Sequence, residues 1–92
     1  MISLEDCIAL CGLTKEEVDA IAEHEHVPEI TAATLARYLL CQSHGSDEIR
    51  KMIVDDFREA LRAGDTAHAA ELAFALRHFL AGHPQAAPSG QS

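Results

Sequence analysis

Between Asp47 and Gly64 the apolar residues fall at steps of three and four: Ile49, Met52, Ile53, Phe57, Ala60 and Leu61. A Gly64-Asp65 turn follows, and after it a second run with the same period, Leu72, Ala73, Leu76, Phe79 and Leu80. Residues spaced this way share one face of a 3.6-residue helix, so each run is an amphipathic helix with a stripe to hide. With so short a connection, the two stripes are covered together only if the helices fold back antiparallel. No segment of four or more residues alternates at period two with β-branched or aromatic side chains, so no sheet is expected and the class is all-α. The stretch Glu59 to Leu76 resembles one helix pair of the tetratricopeptide type, but that architecture stacks about three or more repeats of about 34 residues. No second copy is present.

Helix starts and stops divide the rest. Ser3 with Asp6, and Thr14 with Glu17, each set a hydroxyl three residues before an acid, the pattern of a capping box. They predict two short helices, about Leu4–Cys11 closed by Gly12, and about Lys15–Glu25 ended before Pro28. Pro28 suits the first turn of a third helix running to about Gln42. That helix, PEITAATLARYLLCQ, is apolar nearly all round and is expected to lie at the centre. The loop Ser43–Glu48 leads to a fourth helix from about Asp47 to Gly64. Asp65 caps a fifth, about Thr66–Ala81, closed by Gly82 and Pro84. The expected architecture is a compact five-helix bundle: two short N-terminal helices, a central helix and a C-terminal hairpin. It forms a single domain over residues 1–83, with residues 84–92 as a flexible tail because QAAPSGQS has no apolar period with which to dock.

A chain of 92 residues with 48% apolar and 24% charged content is of the globular type. It hides only roughly 60 to 70% of its unfolded surface, so its core is modest. No run of about 18 apolar residues is available to span a bilayer. The start MISLEDC has acids where a signal peptide has bases, so a cytoplasmic location is expected. Seven basic against fifteen acidic residues give a formal charge of −8, which repels nucleic acid and anionic lipid. Cys7, Cys11 and Cys41 form an odd set without a CxxC pair, the pattern of reduced thiols rather than a disulfide framework.

Two acids violate the apolar faces. Glu25 falls near the middle of the arc defined by Val18, Ile21 and Ala22, and Asp56 falls between Met52, Ile53 and Ala60. A buried carboxylate needs a cation, a donor, a water or a metal. The run Glu23-His24-Glu25-His26-Val27-Pro28-Glu29 supplies five metal-competent side chains in seven positions. It contains one Glu-x-x-His, the spacing that helical di-iron and di-manganese proteins use twice together with two further glutamates. A metal site would draw on Glu25, His26, Asp56, Glu29 and His68, with iron, manganese or zinc as the candidate ion. The other reading pairs Glu25 with Arg37, Arg50, Arg58 or Arg62 and leaves His24 and His26 to interact with the helix dipole. His44, His78 and His83 are expected to be solvated. HEHVP opens like the zinc-protease signature HExxH but has Pro28 where the second histidine must stand.

There is no Gly-flanked serine and no glycine-rich phosphate cradle, so no enzyme activity is expected without a metal. A helix-turn-helix reading fails because the would-be recognition helix sets only Arg37 against Glu29. Phe74 lies off the stripe of its helix, beside Ala70 and His78, and calls for a second contact on the first helix or on another subunit. LTKEEVDAIAEHEHVPEI and DDFREALRAGDTAHAAELAFALRHFL resemble a family of small proteobacterial all-helical proteins. The resemblance covers most of residues 3 to 83, and it implies a bacterial cytoplasmic protein without implying an activity or a ligand. The leading expectation is a protein-interaction module, self-associating as a homodimer; the alternative is a metal-binding or metal-dependent redox protein.

Overall fold

The computed structural model describes residues 12–86. They form α1 (Lys15–Glu25), α2 (Glu29–Leu40), α3 (Gly45–Arg62) and α4 (Thr66–Gly82), followed by a 3-10 turn over Pro84–Ala86. Among the described residues there is no strand, and the helices number four rather than five. The helix expected at Leu4–Cys11 lies outside the described residues.

Local chemistry accounts for the boundaries. At α1 the capping box is complete: the Thr14 side chain accepts the Glu17 N–H at 3.2 Å, and Glu17 Oε1 accepts the Thr14 N–H at 2.9 Å. Pro28 sits one residue outside α2 as its N-cap. The α3 helix begins at Gly45, two residues ahead of the expected Asp47, because only glycine fits there. A Cβ on Gly45 would stand 1.4 Å from the Leu39 carbonyl oxygen, so the end of α2 and the start of α3 are in backbone contact. The Asp65 carboxylate accepts the His68 N–H at 3.1 Å and starts α4.

Helices α1 and α3 each pack against all three others, but α3 does so more extensively, with α4 as its main partner in the expected hairpin, and it also packs against the 3-10 turn. The centre of the bundle is therefore α3 and not Glu29–Leu40. That segment buries only its small face, Ala32, Ala33 and Ala36, and leaves Ile30 and Tyr38 half or more exposed. Overall apolarity misled here: alanines permit close approach and make the fully buried face, while Leu35, Leu39 and Leu40 are only partly buried against the core and Ile30 and Tyr38 point outward. Phe79, Ile21, Ile49, Ile53 and Val18 are fully buried and form the core where α1, α3 and α4 meet. Leu61, placed on the α3 stripe by its spacing, is half exposed in the last turn. Of the tail expected over 84–92, residues 84–86 form the 3-10 turn that packs on α3 and α4, and residues 87–92 lie outside the described residues. Ala86 is fully buried against α3 and α4, and the His83 ring stacks on Phe79 with centroids 4.4 Å apart.

Candidate functional site

The EHEHVPE segment ends α1 and turns the chain. His26 takes a left-handed conformation (φ 57°, ψ 47°) as the C-cap, and its N–H bonds to the Ala22 carbonyl. Glu25, at the last helical position, is exposed rather than turned inward. Its carboxylate meets none of the four arginines and lies 2.9 Å from Nδ1 of its neighbour His24. The wheel placed Glu25 on the buried arc, but the helix stops there and solvent reaches the side chain. Glu29 lies 3.3 Å from the Lys15 ammonium. Glu25, Glu29 and His68 thus have separate partners, and among the described residues no group of three or more His, Cys, Asp or Glu side chains is arranged to hold a metal ion.

Asp56 does point inward. It is 6% exposed, and its Oδ2 has no hydrogen-bond partner. Burial, followed by the negative charges of Glu23 and Asp55, pushes its carboxyl up to about 7, although His24 and His68 pull the other way. Below that value a proton neutralises the carboxyl, where a cation, a donor, a water or a metal was expected.

The histidines supply what the arginines do not. His24 Nδ1 faces Glu25 at 2.9 Å, and its Nε2 faces Asp55 on α3 at 3.1 Å. His68 Nε2 faces Glu23 on α1 at 2.6 Å, and its Nδ1 faces Glu71 at 3.0 Å. An imidazole with an ionised carboxylate on each nitrogen can donate to both only as the imidazolium. Burial lowers the proton affinity of His24, but the bonds to Glu25 and Asp55 and the charge of Asp56 outweigh it and hold the ring above its ordinary value. His68 is held above its ordinary value by its bonds to Glu71 and Glu23.

Glu17 is the functional-site residue that sequence reasoning missed. It was recognised as a capping partner, yet it is also 1% exposed, and its Oε2 accepts from His78 Nδ1 on α4 at 2.8 Å. Its spacing from Ala20 and Ile21, three and four residues on, was the available signal, since it shares their face. The partner was out of reach of any local pattern, 61 residues away. Of the three histidines expected to be solvated, His44 and His78 are exposed, with side chains 85% and 58% accessible, although His78 also reaches Glu17, whereas His83 is partly buried against Phe79.

Glu17 with His78 at one end and Glu23 with His68 at the other tie α1 antiparallel to α4. Between these ties lies a groove of about 660 Å³. Ala20, Leu72 and Ala75 line its base, Phe74 stands at its side, and the carboxylates of Glu16, Asp19, Glu23 and Glu71 edge it. Phe74 is 68% exposed, the largest value among the big apolar side chains of the described residues. Among the described residues no helix covers it. The volume falls within the range of ligand and peptide sites, and an apolar base with a polar edge is the usual make-up of such sites.

No family model, curated protein or solved structure matches this chain. No helix among the described residues is long and apolar enough to cross a membrane.

Proposed function

We propose that the chain is a protein-interaction module whose contact surface is the groove between α1 and α4. The observation that supports this most is Phe74, a large aromatic side chain left 68% exposed beside an apolar-based groove. Exposed apolar surface contiguous with a concave site and edged by charge marks interaction surfaces more often than bare monomer surface. Grooves between two helices receive helical or extended partner segments by burying such anchors. A homodimer, in which a second copy covers Phe74, is one form of the same proposal.

The test is a photo-crosslinking amino acid placed at position 74 in the full chain expressed in cells. A control carries it at Lys51, whose side chain on α3 is 60% exposed and away from the groove. A discrete adduct at 74 that is absent at 51 is the expected result, its mass separating a partner from a second copy. Equal labelling at the two positions would overturn the proposal.

One observation favours a second reading, metal binding: the buried, unpartnered Oδ2 of Asp56 near His24 and His68. Elemental analysis of untagged protein separates the readings. Stoichiometric iron, manganese or zinc that disappears in Asp56→Asn supports the metal. Protein without metal, whose stability follows the pH dependence worked out in the Discussion, leaves Asp56 as a proton site.

A further inference from the structure

Resting on the interaction reading above, we infer that the groove between α1 and α4 receives a cationic amphipathic helix of a partner protein. Glu16, Asp19 and Glu23 stand at i, i+3 and i+7 on α1, so their carboxylates run as a line along one edge of the groove. Glu71 on α4 stands on the opposite side, and neither Lys nor Arg lines the groove. The line is partly neutralised, with Lys15 at 2.9 Å from Asp19, and with His68 between Glu23 and Glu71. Glu16 has no such partner among the ion pairs of the described residues. The seven-residue step from Glu16 to Glu23 spans about 10 Å, two helical turns, which matches cations at i, i+3 or i+4, and i+7 on a helix laid alongside.

The base suits the same occupant. Ala20 and Ala75 are small and buried, so another helix axis can come close. Phe74 offers the apolar anchor at the side.

Charge also decides between the occupants. The N-terminal residues 1–11, MISLEDCIALC, contain Glu5 and Asp6 and neither Lys nor Arg, so they bring more negative charge to an acidic edge. A second copy brings a net −8, and its basic residues on α3, Arg50, Lys51, Arg58 and Arg62, are interrupted by the exposed Asp55 and Glu59. Neither presents an uninterrupted cationic stripe beside an apolar one. A partner helix with leucines on one face and lysines or arginines flanking them does so, and opposite charge also speeds and orients its encounter.

The experiment uses the full-length chain and two fluorescein-labelled peptides of about 14 residues. Both carry Leu at i, i+3, i+4 and i+7; one has Lys at the flanking positions and the other has Gln. Anisotropy titration should give binding of the Lys peptide that weakens as salt rises. Affinity should fall about tenfold or more in the double variant Glu16→Lys, Asp19→Lys and also in Phe74→Ala, but less than about twofold in Glu59→Lys, an exposed charge reversal outside the groove. All the altered positions are at the surface, and circular dichroism checks that each variant keeps its helices.

Equal losses from the groove and the Glu59 reversals would show attraction to the bulk charge and overturn the inference. Equal binding of the Gln peptide, still lost in Phe74→Ala, would overturn the cationic occupant and leave the interaction surface standing. A self-adduct as the sole crosslinked product at position 74 would replace the partner helix with a second copy. Absence of peptide binding together with absence of a specific adduct at 74 would overturn both the inference and the reading it rests on.

Discussion

Asp56 is the side chain whose chemistry makes the sharpest quantitative demand. Its carboxyl is buried on α3 beneath Glu23 and His24 of α1 and His68 of α4, with Asp55 beside it on its own helix. Replacing it by asparagine keeps the shape and removes the titration. A carboxyl held at about 7 instead of its ordinary 3.8 sets a ceiling of about 4 kcal/mol, at about 1.4 kcal/mol for each tenfold change in proton affinity. Solvent around its exposed neighbours screens part of this, so about 2 to 3 kcal/mol is the expected size. The folded value is raised above the unfolded one, so the folded state is the better proton binder. The stability is therefore fully present below about pH 4 and is lost as pH climbs through 7, with no further loss from this group above about 8. In urea titrations between pH 4.5 and 8.5 the wild-type chain should lose stability steadily toward pH 7, and Asp56→Asn should show a shallower fall over the same window. Slope is the decisive quantity, since an asparagine amide left without an acceptor costs about 1 to 3 kcal/mol at every pH. His24 and His68 also have raised values, so their contribution is present below the ordinary histidine range and is lost as pH rises through their folded values. That residual slope should survive in Asp56→Asn. Parallel curves for the two proteins would refute the proton-holding account of Asp56, and a variant whose stability falls more steeply with pH would reverse it.

Three further substitutions probe the scaffold that holds the groove. Glu17→Gln changes the buried side chain that accepts from both the Thr14 N–H and His78, and denaturant unfolding at neutral pH should register a loss of about 1 to 3 kcal/mol. Gly45→Ala forces a Cβ to within 1.4 Å of the Leu39 carbonyl; the α2–α3 junction must shift, and a loss of about 2 to 4 kcal/mol in the same assay is expected. Phe79→Ala opens a cavity in the fully buried core and removes the surface on which His83 stacks, a change that thermal unfolding should report as about 3 to 5 kcal/mol. A melting curve equal to wild type for any of the three would contradict the contact assigned to it.

Elements governed by local rules were legible in the sequence, and those governed by distant partners were not. Thr14 and Glu17 mark the start of α1, and Glu25 its end, because a capping box and a following proline act within a few residues. The α3–α4 hairpin is fixed by two stripes and a turn in which Gly64 takes φ 78°, a conformation glycine adopts without strain. The inward position of Asp56 follows from its place in the α3 stripe. Glu25 obeyed the same wheel and was misplaced, since a wheel carries no information about where neighbouring helices stop covering a face. The centre of the bundle was misplaced for a related reason: hydrophobicity counts side chains, whereas the buried face of α2 consists of alanines that let its neighbours approach. Above all, the pairs Glu17–His78 and Glu23–His68 are set by the antiparallel docking of α1 on α4 and have no signature at short range.

Those pairs give the groove its character. Four ion pairs join different helices among the described residues: Lys15 with Glu29, His24 with Asp55, His68 with Glu23, and His78 with Glu17. Three of them use an imidazole. Arginine would hold its charge throughout the physiological range, whereas histidine titrates within it. Helix α1 is both the wall that carries the carboxylate line and the element that histidine joins to α3 and α4, so the attachment of that edge responds to protons. Acidification strengthens the attachment by charging His24 and His68, whose proton affinities are raised by the carboxylates they face, and alkaline conditions weaken those two ties. The wall formed by α1 is thus best held on the mildly acidic side of neutrality, because two of the ties that fix it to α3 and α4 are these histidines.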